Sequence, residues 1–163
     1  MIDVVEADLS HLLHQGAVLE LTRSYARDPM GNGTDLPRPV QAVLVERLRE
    51  HPTTLIFLAF HAGEPAGIAT CFLGFSTFAA RPLVNVHDLH VAPRFQRLGI
   101  GRRLLEAVEA RARELGCCKL TLEVQDNNRR ARALYRSFGF EDFVVNESAT
   151  RFLSKPLHGA RGD

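Results

Sequence analysis

Val91-Ala92-Pro93-Arg94-Phe95-Gln96-Arg97-Leu98-Gly99-Ile100-Gly101-Arg102-Arg103-Leu104-Leu105 is the stretch on which the reading turns. A strand ends, a glycine-containing loop follows, and an amphipathic helix begins. Backbone N–H groups at a helix start have no partner inside the helix, and the helix dipole adds positive potential there. Gly99 and Gly101 lack side chains, so a phosphate can approach the main chain closely. Arg97, Arg102 and Arg103 add positive charge nearby. Two familiar phosphate loops are excluded: Arg102 and Arg103 stand where a P-loop needs Lys and Ser or Thr, and Leu104 stands where a dinucleotide fingerprint needs a third glycine. Taken alone, the loop also fits a glycine-rich helix start that holds no ligand.

Working outward, the helix runs over 99–115, with Ile100, Leu104, Leu105, Val108, Ala112 and Leu115 at helical spacing. A strand at 119–124 and a helix at 128–138 follow, then strand-like segments near 140–145 and 150–153. On the N-terminal side, 83–91 reads as a strand. Residues 53–61 and 66–75 read as an antiparallel hairpin around Ala62-Gly63-Glu64-Pro65. A strand at 2–5 opens the chain. Asp8 or Ser10 caps a first helix through Leu12, Leu13, Val18, Leu19 and Leu21. A second helix over 39–50 carries Val40, Val43, Leu44 and Leu48 on one side. Between these helices, Asp28-Pro29-Met30-Gly31-Asn32-Gly33 is a loop. The fold class is therefore α/β in the mixed α+β sense: one central mixed, mostly antiparallel sheet with helices on both faces. One domain is expected over 1–157, with a frayed tail at 158–163.

The composition bounds the partners. Of 163 residues, 20 are Lys or Arg and 19 Asp or Glu, a net charge of +1. So balanced a chain has no field to hold nucleic acid or an acidic membrane, and neither partner is expected. The three cysteines, Cys71, Cys117 and Cys118, are odd in number and lack CxxC spacing, so they read as thiols in a reducing compartment. The N-terminus lacks the pattern of a signal peptide, and the longest apolar run, 55–60, is too short to span a membrane. A cytoplasmic location is expected. His11 and His14 share a helix face, but no third ligand accompanies them, and no metal is expected.

Gln96-x-x-Gly99-x-Gly101 resembles the pyrophosphate loop of the GNAT superfamily of N-acetyltransferases. About 25 residues further on, Asn128-Arg129-Arg130-Ala131-Arg132-Ala133-Leu134-Tyr135-Arg136-Ser137-Phe138-Gly139-Phe140 is similar to that family's N-x-x-A-x-x-x-Y-x-x-x-G-F signature. The close match covers 83–140, a little over a third of the chain. Phe75-Ser76-Thr77-Phe78, Arg81 and the stretch His87-Asp88-Leu89-His90-Val91 resemble the polyamine and thialysine acetyltransferase branch, except that His87 replaces a glutamate.

The resemblance implies acetyl transfer from acetyl-CoA, as cosubstrate, directly to a primary amine within a ternary complex. Leu89, His90 and Val91 would meet the pantetheine arm through their backbone, with the Val91 amide near the thioester carbonyl. Gln96, Arg97, Leu98, Gly99, Ile100, Gly101 and Arg102 would hold the pyrophosphate. Asn128 and Ala131 would line the CoA arm, and Tyr135 would protonate the leaving thiolate. Leu89 and Val91 also read as core strand residues, Asn128 as a helix cap and Tyr135 as packing. The 28–33 loop would border the acceptor pocket, or is a surface turn. A small-molecule amine is the implied acceptor. Dimerisation is common in the branch, so a homodimer is the assembly to test. The alternative function is a sensor that binds acyl-CoA without turnover.

An alkylammonium must lose a proton before it can attack. His87, with Asp88 nearby, is the candidate base, against loss to solvent or to Asp88 alone. Strand alternation sends His87 and Asp88 to opposite faces unless a bulge intervenes.

Overall fold

In the computed structural model, which describes residues 1–157, the chain runs β1 (Ile2–Glu6), α1 (Leu12–Arg27), α2 (Arg38–Glu50), β2 (Thr54–His61), β3 (Glu64–Ser76), β4 (Arg81–Val91), α3 (Ile100–Glu114), β5 (Leu120–Leu122), α4 (Arg129–Phe138), β6 (Val144–Val145) and β7 (Ser148–Ala149). The tail expected at 158–163 lies outside the described residues. Strands β1 to β5 form one sheet in sequence order. All neighbours are antiparallel except β4 and β5, which are parallel. This is the mixed, mostly antiparallel sheet that the order of elements implied.

One interior strand explains the layering. In β2 every residue from Leu55 to Phe60 is buried. Successive side chains of a strand point to opposite faces. Leu55, Phe57 and Ala59 join Ile100, Leu104, Leu105, Val108 and Ala112 of α3. Ile56, Leu58 and Phe60 join Ala17, Val18 and Leu21 of α1. A strand buried on both faces reads as an uninterrupted apolar run, and this one does. The β2–β3 turn places Ala62 at φ 51° and Gly63 at φ 82°, the twist that a two-residue hairpin requires.

Three expectations shift. Leu12 and Leu13 are 81% and 55% exposed. His14 holds the inward position one turn before Val18, beside the Phe60 ring. In α2, Val45 and Leu48 face the core while Val43 is exposed. The C-terminal segments do not extend the main sheet: β6 and β7 pair only with each other, over two residues each. The strand expected at 119–124 pairs over three residues, which leaves a short edge for any further strand.

Candidate active site

The shortness of β5 creates the site. It pairs with β4 only at Val84–Val86, where Asn85 Nδ2 donates to Thr121 Oγ1 at 3.0 Å. Beyond Val86, β4 runs on to Val91 with no strand on that side, and the sheet opens as a wedge. The phase of the β3–β4 ladder sets what the wedge sees. Ala92 N donates to Ala66 O at 2.9 Å, and pairing is antiparallel, so alternate residues bond β3. His90 thus bonds toward β3, while the amides of Leu89 and Val91 turn into the wedge.

At the mouth of the wedge a 3₁₀ turn (Pro93–Phe95) leads into the glycine loop. Arg97 (φ 66°) and Gly99 (φ 78°) adopt left-handed conformations. The amides of residues 97 to 102 find no acceptor among the described residues; the first bonded one is Arg103 N, to Gly99 O at 3.2 Å. A row of unpaired N–H groups at the positive end of a fifteen-residue helix suits an anion. Gln96 latches the loop. Its Nε2 donates to Val91 O at 3.3 Å, and its Oε1 accepts from Arg130 at 2.6 Å. Arg130 is therefore a cation at the loop that the motif did not single out. Two expected cations point elsewhere. Arg102 donates to Ser137 Oγ at 2.9 Å and lies over the Phe138 ring, and Arg103 donates to Ile2 O at 3.1 Å. Both are drawn away by nearby acceptors, so only the main chain of Arg102 belongs to the loop.

Helix α4 forms the far wall. Asn128 Oδ1 accepts from Ala131 N at 3.1 Å, so the residue is a helix cap, and Ala131 packs at the core margin. Tyr135 is 9% exposed and meets the Phe140 ring edge-on at 5.8 Å. Burial, then the neighbouring Tyr25, pushes its phenol up to about 12. Tyr135 is therefore a proton donor at neutral pH, never an anion.

A bulge sets the orientation of His87 and Asp88. Thr70 pairs with Asp88 and Cys71 with Val86, leaving His87 as the extra residue. Val84, Val86, Leu89 and Val91 pack on the α3 side. His87 and Asp88 lie between them and both turn to the α1 side, as His90 does. His87 is exposed and stands edge-on to Phe72 at 5.5 Å. Asp88 is half-buried. Desolvation raises its carboxyl above the usual range, and the His87 charge lowers it in part.

Two residues on the α1 side, Ser24 and Tyr25, carried no sequence signal. Ser24 Oγ shares a 2.9 Å hydrogen bond with His90 Nε2, and the Tyr25 ring lies 5.4 Å from the His90 ring. Met30 O accepts from Gln125 Nε2 at 3.4 Å, so the 28–33 loop reaches the segment after β5 across the wedge. These contacts join residues 66 and 95 positions apart, beyond any local pattern. Among the described residues, no three His, Cys, Asp or Glu side chains gather as a metal site. His14 Nδ1 accepts from Asp8 N at 3.0 Å. Among the described residues, no helix is long and apolar enough to cross a membrane.

A family model described as "Acetyltransferase (GNAT) family" matches residues 18–140. The chain is 34% identical over 102 residues to the uncharacterized N-acetyltransferase YhfO of Bacillus subtilis, covering 63% of this chain and 68% of that one. It is 33% identical over 91 residues to the thialysine N-epsilon-acetyltransferase of Caenorhabditis elegans, covering 56% of each, little more than half of the worm protein. The fold is shared with AAC(6')-Iy, solved in complex with the bisubstrate analog CoA-S-monomethyl-acetylneamine. That structure matches at TM-score 0.74 and 17% identity, covering 96% of this chain and 99% of that one.

Proposed function

The chain belongs to the GNAT acetyltransferase family, and on that premise we propose that it passes an acetyl group from acetyl-CoA directly to the primary amine of a small molecule, in a ternary complex formed by one domain over 1–157. The observation that carries this reading is the wedge. Its mouth holds a row of unpaired amides and its edge the inward N–H of Val91, with Tyr135 of α4 and Asp88 of β4 beside it.

Bound acetyl-CoA would supply the activated acyl group. The amides of 97 to 102 take its pyrophosphate, with Arg97 and Arg130 adding charge. The amides of Leu89 and Val91 bond the arm as a neighbouring strand would, and Val91 N–H faces the carbonyl oxygen where negative charge develops. Asn128 and Ala131 line the same arm. As the amine nitrogen bonds to the acyl carbon and the C–S bond breaks, two protons must move. Asp88 takes the ammonium proton before attack, and exposed His87 beside it passes the proton to solvent; the second proton leaves the nitrogen by the same route once the C–N bond has formed. Tyr135 donates its hydrogen bond to the departing sulfur. A thiol pKa is about 8.5, well below the Tyr135 value of about 12, so the phenol stabilises the thiolate more than it protonates it.

Direct transfer is favoured by the thiols. Cys71 is wholly buried and pushed up to about 12, and burial raises Cys117. Neither is an activated nucleophile. Three free cysteines also suit a reducing compartment, and we propose the cytoplasm. Phe143, Val144, Val145, Phe152, Leu153 and Leu157 are all exposed. So concentrated an apolar surface favours a homodimer formed through 143–157. Light scattering tests it: a monomer at micromolar concentration would rule it out.

The deciding experiment is steady-state CoA release with acetyl-CoA and a panel of amines, including lysine analogues, polyamines and aminoglycosides. Turnover with at least one is expected. Tight acetyl-CoA binding without any turnover would favour the sensor instead.

A further inference from the structure

The motif accounts for His90 only through its main chain, yet His90 and Thr70 are the buried polar side chains of the described residues. A buried imidazole is costly unless its nitrogens are bonded. Burial lowers its pKa, so the ring is neutral at neutral pH. As a neutral ring it can lie against Tyr25 and share its Nε2 bond with Ser24 without adding charge to the core. This contact ties β4, between the two residues whose amides face the wedge, to the last full turn of α1.

Tyr25 is held from the other side as well. Asp28 N donates to Tyr25 O at 3.0 Å. Gly31 lies so close that a Cβ there would stand 2.0 Å from the same carbonyl oxygen, so only glycine fits. The loop therefore folds onto the backbone of Tyr25 and fixes it. The half-buried phenol ring lies against His90, and Asp88, two residues before His90 on β4, turns to the same face; burial first, then the Asp88 and Asp28 charges, raise the phenol's pKa. Neither the Asp28 nor the Asp88 carboxylate forms a salt bridge among the described residues. A protonated phenol both donates and accepts.

We propose that Tyr25 is an acceptor-binding residue, whose phenol oxygen accepts a hydrogen bond from the incoming ammonium beside Asp88, and that Ser24 and His90 are the positioning pair that aims it. This rests on the acetyl-transfer reading above. Tyr25 and Tyr135 then address the reacting centre from opposite walls, one toward the amine and the other toward the sulfur.

The test uses the full chain and any amine that the wild type acetylates. Tyr25→Phe keeps the ring against His90 and removes only the hydroxyl. The acceptor KM should rise about tenfold, as expected for one lost hydrogen bond to a charged group, while the acetyl-CoA KM and the thermal midpoint hold. Ser24→Ala should raise the acceptor KM by a smaller factor, about threefold, and Ser24→Thr, which restores a hydroxyl, should recover it. An acceptor KM unchanged in Tyr25→Phe, or an acetyl-CoA KM that rises in step, overturns the assignment while leaving acetyl transfer intact. A wild type that binds acetyl-CoA but acetylates no amine overturns both.

Discussion

The two walls of the wedge are built on different plans. On the α3–α4 wall the working groups are mostly main chain: the amides of Leu89 and Val91, and the row from 97 to 102. They come from one continuous stretch. On the α1 wall they are side chains, and they come from Tyr25, Phe72, His87, Asp88 and His90, drawn together by tertiary contact. The charges differ too, with Arg97 and Arg130 at the first wall and Asp28 and Asp88 at the second. A wall that works through its backbone tolerates changes of side chain but not of glycine. A wall that works through side chains should fail at single atoms.

The sharpest break comes at Asp88. Asp88→Asn keeps the shape and removes the proposed base, so kcat/KM should fall on the order of 10²-fold or more. Burial raises the carboxyl above its ordinary value, so the wild-type rate should fall on the acid side through a pKa higher than that of a free aspartate. The asparagine variant should lack that limb. His87→Ala should keep it and move it upward, because the His87 charge lowers the Asp88 value. The pH dependence of kcat/KM for the three proteins decides. Loss of a limb near pH 6.5 in His87→Ala alone would assign the proton to the imidazole instead.

The same contrast explains what could be read in the sequence. Backbone function needs glycine at set places, so Gly99 and Gly101 announced the loop, and the unbroken apolar run of 55–60 announced a buried strand. The wedge itself was less visible. Nothing in Leu120-Thr121-Leu122 says that pairing stops after three residues, because strand ends depend on the neighbour. The bulge at His87 was open in the sequence, since alternation and its interruption fit the same residues. Ser24 and Tyr25 gave no sign, because their role exists only once α1 crosses β4. The arginines misled for a related reason: Arg102 and Arg103 are near the loop in sequence, but Ser137 and Ile2 capture their side chains.

Tyr135 should show a smaller effect than Asp88. Tyr135→Phe removes a donor to a leaving group that departs readily as an anion, so kcat should fall on the order of 10-fold to 10²-fold. Acetyl-CoA affinity by calorimetry should hardly move, because the buried ring remains against Phe140. Wild-type turnover with chemistry rate-limiting would reduce Tyr135 to packing. At the loop, Gly101→Ala should weaken CoA binding about tenfold by crowding the amides. Its Cβ would press on Leu134 Cδ2, at 3.0 Å, a flexible methyl that can yield, and meet Val91 Cγ2 at an ordinary 3.9 Å, so the fold should persist. Arg102→Ala should change affinity by about twofold at most, the value expected of a cation aimed elsewhere. If Arg102→Ala proves the more damaging, the loop works through side chains and the contrast between walls is lost.

The smallest effect is expected at Asp35, which anchors the loop of the acceptor wall. Its carboxylate accepts from Arg23 Nε at 3.2 Å, from an Arg23 terminal nitrogen at 2.7 Å, from Arg27 at 3.1 Å and from Leu36 N at 2.8 Å. The Arg23 bonds above all hold its pKa down to about 2. An unfolded aspartate titrates near 3.9. A carboxyl depressed in the folded state gives stability that is fully present above the unfolded value, and it fades as pH falls from about 4 to about 2. The pair is about one-third exposed, so its contribution should be small and weakened by salt. Asp35→Asn should therefore lower the thermal midpoint slightly at pH 7 and low salt. The gap to wild type should close as pH drops toward 2, or as salt is added. Because Arg23 and Arg27 lie on the helix that carries Tyr25, the variant should also raise the acceptor KM modestly, with the acetyl-CoA KM unchanged. A gap that stays constant down to pH 2 would mean that Asp35 does not hold the loop by charge, and the acceptor wall would then owe its shape to Gly31 and the His90 contact alone.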